Sequence, residues 1–493
     1  MNLARTLRVR YRVARPVGRR YPLLRSLAWF VVLACLLPIS PVRAQEVPPP
    51  VEPAAAGPYR TYLPVLANPA APSPFGFDLR LSTSETIMPY VEGTNPRWSR
   101  AGDLLWALVE PNRGSYDWSP MASLDTNIRR LRAAGIEPVV VVQWTPSWAQ
   151  SIRGRVCSPP GPQYIGDFVR FMQAATQRYS QGDLRVNYWE IWNEPDYRPD
   201  QVIDNSGTGC WATNQAPYYG GNYYGAVLAQ VYPVIKANNP QATVFAGALA
   251  HFWPDDRVTR GFVRGMFDAG AANSFDALSF HAYGEWGAGD RLIFKHASLR
   301  ALLNEYGLTP RPLMAPEIAA TCDTDTNCPP YFRQKQANYA ARIYAEAIAL
   351  DLMGALWYTL ASPSPGFLHS HLIEYKDGKA TPYPAYYSFR HSAKLLQGAR
   401  YIGPPLKEPP PDQINKVQVL TFRKPGSTLY VLWVPQIDFP LIYNLGVPVG
   451  ARAICTDQLN MVEPATYYCS DENRDGAIPR AVNELPQYVE VFD

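Results

Sequence analysis

The chain has 493 residues and carries 46 Lys+Arg against 42 Asp+Glu, a formal net charge of +4. Nine of those basic residues are arginines within residues 1–44, a stretch with no acid, so the remainder holds 37 basic against 42 acidic groups, a net of −5. That balance excludes nucleic acid as a partner, because phosphate neutralisation needs a basic surface that survives processing.

Residues 1–44 have the layout of an export signal: an arginine-rich start, an apolar run from Leu27 to Ile39, and the small-residue stop Val42-Arg43-Ala44 before Gln45. The run is about 13 residues, whereas a membrane-spanning helix needs roughly 20. An uncleaved N-terminal anchor is the alternative to removal. Cys35 after Val32-Leu33-Ala34 loosely suggests a lipoprotein signal, but Leu36-Leu37 places it inside the apolar core of the leader. Residues 45–74 hold nine prolines, a composition for an extended tether rather than a packed core.

From residue 75 to 400, short apolar runs alternate with amphipathic stretches, the pattern of strand and helix units around a parallel sheet. The predicted strands are Phe75–Leu79, Trp98–Leu105, Glu137–Gln143, Asn187–Trp192, Thr243–Gly247, Ala277–His281, Leu313–Glu317 and Ala355–Thr359. Helical spacing recurs in Asp125–Ala134, Asp167–Tyr179, Tyr223–Ala237 and Arg333–Asp351. Eight such units predict a (β/α)8 TIM barrel. A doubly wound open sheet would carry a glycine-rich phosphate loop after its first strand, and this chain has none. A second proline cluster, Gly403 through Pro411, marks a boundary. Beyond it, Val417–Phe422 and Thr428–Trp433 alternate apolar and polar residues around Lys424-Pro425-Gly426-Ser427, so 414–493 is expected to be a small all-β, sandwich-like domain.

Without the leader, six cysteines remain: Cys157, Cys210, Cys322, Cys328, Cys455 and Cys469. An even set in an exported chain reads as disulfides. Short separations favour Cys322 with Cys328 and Cys455 with Cys469, leaving Cys157 with Cys210, a connectivity that spacing alone does not prove. No zinc-type ligand spacing occurs. The 13% aromatic content, with 31 Tyr and 13 Trp, suggests surfaces for weakly polar faces such as sugar rings.

Reactive side chains of such barrels sit at the C-terminal ends of strands, and two carboxylates fall there: Glu194 after the fourth strand and Glu317 ending the seventh. An aromatic setting favours a protonated Glu194, and hydrogen-bond donors would hold Glu317 ionised. Two carboxyl groups of separated acidity across one cleft suit glycosidic cleavage.

Asn187-Tyr188-Trp189-Glu190-Ile191-Trp192-Asn193-Glu194-Pro195-Asp196 resembles the fourth-strand signature of clan A glycoside hydrolases, retaining TIM-barrel enzymes that include families 39 and 5. The resemblance covers roughly residues 75–395. It implies that Glu194 is the acid/base and that Asn193 contacts a sugar 2-hydroxyl. The segment Trp98 to Trp118 is similar to the family's second-strand region, which makes Arg100, with Arg97 as second choice, the support of the nucleophile. Phe280-His281-Ala282-Tyr283 resembles the sixth-strand segment and places His281 and Tyr283 in the cleft. Glu317 is then the nucleophile, with Trp144 and Trp357 as aromatic faces for sugars. Ala315-Pro316-Glu317-Ile318-Ala319-Ala320 departs from the family pattern of Thr before the nucleophile, and Glu285 is the nearest substitute.

The resemblance implies a secreted hydrolase of poly- or oligosaccharides, tethered at the cell surface or free, without metal or organic cofactor. A non-catalytic carbohydrate-binding barrel and a transglycosylase are the alternatives. The carbohydrate is the expected partner, with no membrane contact beyond an uncleaved anchor. Trp148 and Trp286 are weaker candidates for sugar faces, and His251 for a cleft residue or a structural histidine. Asp323 and Asp325 are expected to form a solvated loop rather than a calcium site. The segment Tyr197–Tyr219 is expected to wall the cleft if Cys157 bridges Cys210.

Overall fold

The computed structural model describes residues 73–78, 85–202, 207–251, 257–285, 291–322, 328–363, 367–436 and 439–493. These belong to one compact unit, Tyr62–Asp493. The export signal, almost all of the tether, Leu79, Trp286, Asp323 and Asp325 lie outside the described residues.

Eight strands form a closed parallel barrel in chain order: β1 (Phe75–Asp78), β2 (Trp98–Leu105), β3 (Glu137–Gln143), β4 (Tyr188–Ile191), β5 (Thr243–Leu249), β6 (Ala277–Glu285), β7 (Leu313–Thr321) and β8 (Gly354–Trp357). Closure comes from β1 pairing with both β2 and β8. The valine run Val139–Val142 in β3 shows why such strands form here: β-branched side chains are stiff and suit a pleated surface, and burial on both faces of a parallel sheet removes any need for alternation. The base of the barrel is plugged by Trp98, Val139, Phe245, Ala277, Met314 and Leu356.

Between and after the strands run α1 (Met88–Glu92), α2 (Trp106–Val109), α3 (Ala122–Ala133), α4 (Ile165–Arg178), α5 (Gly221–Asn238), α6 (Arg257–Asp268), α7 (Arg291–Glu305), α8 (Phe332–Ala349) and α9 (Pro384–Leu395). Helices α5 and α6 cross closely, because a Cβ on Gly225 would stand 2.3 Å from the backbone oxygen of Met266.

The eight predicted strands all occur. Strands β6 and β7 run four residues further than the apolar pattern suggests and stay paired to Glu285 and Thr321, forming a ribbon above the barrel rim. A small sheet of β9 (Ala361–Ser362), β10 (Ile373–Lys376) and β11 (Lys379–Pro382) follows β8.

The C-terminal region is all-β. Strands β12 (Arg400–Tyr401), β13 (Gln418–Lys424), β14 (Ser427–Trp433), β16 (Arg452–Asp457), β17 (Ala465–Tyr468) and β19 (Gln487–Phe492) make a six-stranded sheet, and β15 (Leu441–Gly446) pairs with β18 (Ala477–Val482). The hairpin turns through Gly426 at φ 76°, a conformation that costs a glycine nothing. One face of the large sheet packs on the β15–β18 pair through Leu432, Ala453, Ile478 and Val489. The other face meets α8 and α9, where Tyr488 donates its hydroxyl to Ala341 O at 2.6 Å and lies 2.7 Å from Ser392 Oγ. Disulfides join Cys157 to Cys210, Cys322 to Cys328 and Cys455 to Cys469. No helix among the described residues is long and apolar enough to cross a membrane.

Candidate active site

The barrel opens at the carboxyl ends of its strands, and the backbone there departs from ideal geometry where the candidate residues sit. Trp144, Trp192, Glu194 and Ala248, at or just beyond the ends of β3, β4 and β5, all take left-handed φ values between 50° and 72°. Left-handed φ strains a non-glycine residue; such residues also occur elsewhere, at Asn95, Asp351, Asp377, Gln458 and Arg474, but these four gather at one end of the barrel. The ladder also shifts register beside Arg100, beside His281 and between Ala315 and Ile318. The last shift follows from Pro316, which has no N–H to give the sheet, and the irregularity re-aims Glu317. The unusual Ala-Pro-Glu sequence is thus accommodated by a bulge.

Six of the eight predicted residues converge. Arg100 donates from Nη1 to Glu317 Oε1, with Asp78 Oδ2 at 3.6 Å from the same nitrogen. Tyr283 donates its hydroxyl to Glu317 Oε2. Both oxygens of Glu317 therefore have donors. Glu194 sits 2.8 Å from His281 Nδ1 through Oε1, and its side chain keeps 15% exposure. Asn193 accepts from Arg100 Nη2 at 3.1 Å and gives one amide hydrogen to Gly207 O at 2.8 Å. His281 Nε2 lies 3.3 Å from Arg100 Nη2. A guanidinium only donates, so Nε2 accepts and the ring proton rests on Nδ1, where it is donated to Glu194.

Charge is unevenly placed. Burial opposes the charge of Arg100, but the carboxylates of Glu190, Glu317 and Asp78 outweigh it and hold the guanidinium well above its ordinary pKa. Burial, reinforced by Glu317, pushes the Tyr283 phenol well above its usual range, so it serves as a donor at all working pH values. Glu194 has no arginine or lysine partner among the described residues.

The ligand atoms of Glu194, His281 and Glu317 lie within 4.8 Å of one another. A cation there would have to displace Arg100 and Tyr283 from Glu317 and would face a buried guanidinium at close range, so this donor set fits proton handling better than metal binding.

Two expectations change. Trp357 does not face the cleft: it is fully buried, its ring lies 6.0 Å from Tyr339 of α8, and Nε1 donates to Ser370 O at 2.8 Å. Alternation along the strand turns Trp357 toward the helix layer, and the next residue, Tyr358, stands 6.0 Å from Tyr283 instead. Phe367, half exposed, completes this aromatic rim at 5.6 Å from Tyr283 and 5.5 Å from Tyr358. Arg97 stacks on Trp98 at the barrel base, 4.6 Å from the ring centroid, so of the two arginines it is Arg100 that meets Glu317.

Trp144 stays half-buried at the end of β3 with no acceptor for Nε1 among the described residues. Trp148 is taken up by packing against Trp106 and Tyr164, both at 5.6 Å, and donates to Glu110 O. His251 packs on Tyr197 at 4.1 Å, and its backbone N–H, with that of Ala250, is held by the buried Asp196 carboxylate. Burial raises the pKa of Asp196. Cys157 and Cys210 join the loops after β3 and β4, and Cys210 N donates to Cys157 O at 3.0 Å, so the Tyr197–Tyr219 segment is fastened beside the loop that follows Trp144.

Solved structures share this architecture. A family 39 glycoside hydrolase from the gut symbiont Bacteroides cellulosilyticus WH2 superposes with a TM-score of 0.61 at 20% identity, covering 86% of this chain and 81% of that one. A monomeric beta-xylosidase from Caulobacter crescentus CB15 gives 0.55 at 14% identity, covering 86% and 97%. The subfamily 8 xylanase Xyn30A of glycoside hydrolase family 30, from Clostridium acetobutylicum, gives 0.56 at 12% identity, covering 85% and 96%. What is shared is the fold. No family model and no curated protein matches the chain.

The sequence reading missed Glu190, Ser279 and Asp78. Glu190 is fully buried, takes Arg100 Nε at 3.0 Å and Nη2 at 2.5 Å on Oε2, and accepts from Ser279 Oγ at 2.6 Å on Oε1. A charged residue two positions after the inward-facing Tyr188 was the available signal.

Proposed function

We propose that the protein is an exported, retaining glycoside hydrolase acting on a poly- or oligosaccharide. The observation that carries this reading is the approach of the Glu194 and Glu317 carboxyl groups, whose ligand atoms lie within 4.8 Å. Retaining enzymes hold the two carboxyl groups about 5–5.5 Å apart, while inverting enzymes leave about 6.5–9.5 Å for a water. Glu317, kept anionic by Arg100 and Tyr283, attacks the anomeric carbon, and Glu194 protonates the departing oxygen. Glu194 then takes a proton from the water that releases the sugar from Glu317. Asn193 has a second amide hydrogen to offer a ring hydroxyl, and Trp144 and Phe367 offer faces for sugars. The three related enzymes named above, a family 39 hydrolase, a beta-xylosidase and a xylanase, support a carbohydrate substrate. The three disulfides support an oxidising compartment, reached through removal of residues 1–44 with 45–74 left as a tether.

The test is an aryl-glycoside panel with Glu194→Gln and Glu317→Ala. Each variant is expected to lose at least about 10³-fold in kcat, and azide is expected to restore turnover in Glu317→Ala as a glycosyl azide. Full activity in both variants, or inversion of the anomeric configuration by the native enzyme, overturns the proposal. Sugar binding with no turnover across the panel supports a binding barrel instead.

A further inference from the structure

Arg100 has more acceptors around it than it has ways to turn. Its Nε and Nη2 meet one oxygen of Glu190, Nη2 also reaches Asn193 and His281, and Nη1 reaches Glu317 and Asp78. Glu190 is the anchor of this set because its own position is fixed from the far side. Ser279 Oγ donates to Glu190 Oε1 and accepts the N–H of Ala248 at 2.7 Å, which ties the carboxylate to β5 and β6 while its backbone belongs to β4.

We propose that Glu190, locked by Ser279, is a positioning residue that sets the orientation of Arg100 and thereby governs both catalytic carboxyl groups; the proposal rests on the glycosidase reading above. Two consequences follow from the one orientation. Nη1 faces Glu317 and holds its charge. Nη2 occupies His281 Nε2, which keeps the ring proton on Nδ1 and pointed at Glu194. Without Glu190 the guanidinium is free to swing toward Asp78, and both carboxyl groups lose their partner geometry.

The charged and titratable groups around Glu317 are Asp78 of β1, Arg100 of β2, Glu190 and Glu194 of or beside β4, Tyr197 after it, and His281 and Tyr283 of β6, with Tyr358 after β8 behind Tyr283. Glu190 acts on Glu317 in two opposed ways. Its negative charge alone raises the pKa of Glu317, whereas its hold on Arg100 lowers it. The variants separate these. Glu190→Gln removes the charge but keeps the shape and an oxygen for Arg100. Glu190→Ala removes both.

The experiment measures kcat and KM of full-length protein on an aryl glycoside from acid to neutral pH. Glu190→Ala is expected to lose about 10²-fold in kcat with KM nearly unchanged, the cost of misplacing a reacting group, and to move the acid limb of kcat/KM to higher pH. Glu190→Gln is expected to recover most of the rate and to leave the limb in place or move it lower. Ser279→Ala, which disturbs the core least, is expected to move the limb upward by less than Glu190→Ala does. If both Glu190 variants move the limb downward, or neither moves it, the proposal is overturned. Should the native protein hydrolyse no glycoside, the glycosidase reading fails, and positioning is then read directly from the NMR titration of carbon-13-labelled glutamate carboxyls. A Glu317 midpoint that rises in Glu190→Ala or Ser279→Ala supports it, and an unchanged midpoint in both overturns it.

Discussion

At the scale of single residues, two aromatic side chains that come after β7 differ in exposure. Trp357 is enclosed and spends its indole N–H on Ser370 O, while Phe367 stands half exposed on the rim beside Tyr283. Trp357→Phe is therefore expected to lower stability by about 1–3 kcal/mol through the lost hydrogen bond and void, with KM unchanged. Phe367→Ala is expected to raise KM several-fold at unchanged Tm. Melting curves beside steady-state kinetics check both, and the reverse pattern would return Trp357 to the cleft. Glu194, Glu317, Asn193 and His281 lie together where strand-end position and a short motif led the sequence reading to expect them. Glu190 was not legible, because a carboxylate inside a strand announces nothing until its partner on another strand is known, and Arg100 lies 90 positions away. Trp357 was misread because a tryptophan at a strand end has two faces to choose from, and the alternation of β8 decides between them.

At the scale of elements, strand existence was legible from apolar runs, but strand ends were not. Strands β6 and β7 continue past the point where the core ends, because their pairing to each other replaces burial as the reason to stay extended. Helix packing carries a similar hidden constraint. Gly225 of α5 lies against the backbone of Met266 in α6, and a methyl group there would overlap the Met266 oxygen. Gly225→Ala raises helix propensity by about 1 kcal/mol, yet it is expected to lower Tm, since the two helices would have to separate. A higher Tm would show that the contact yields readily. The Cys157–Cys210 bridge encloses a separation of 53 residues. Replacing both cysteines with serine is expected to cost about 4 kcal/mol on the chain-entropy account and to raise KM, because the bridge fastens a segment whose Gly209 N–H donates to Asn193 O. Denaturant melts and kinetics measure the two effects.

At the scale of the whole molecule, acid sensitivity has an identifiable source. His371 is fully enclosed, and burial, helped by Arg333 and His369, pushes it down to about 3. In the unfolded chain a histidine titrates near 6.5. Below that pH the unfolded state takes up a proton that the native state refuses, so stability falls as pH drops from about 6.5 toward 3. The slope of Tm against pH across this window is expected to flatten in His371→Gln, and an unchanged slope would exonerate the residue. The barrel and the β-region were both legible, the first from eight recurring units and the second from alternation around Gly426. Their mutual packing was not, since nothing local in Tyr488 shows that its hydroxyl will meet Ala341.

That packing has a practical edge. The large sheet covers helices α8 and α9 with Leu420, Phe422, Leu429, Val431 and Trp433, all enclosed in the same core as the barrel. Helix α8 leads directly from the strand that bears Glu317 to the strand that precedes Tyr358. A chain shortened before Pro411 would bring this helix pair into water with a greasy flank, and it is expected to precipitate or be degraded rather than to yield a smaller working enzyme. Anyone trimming the protein for use has to count the C-terminal sheet as part of the cover over the barrel's own helices.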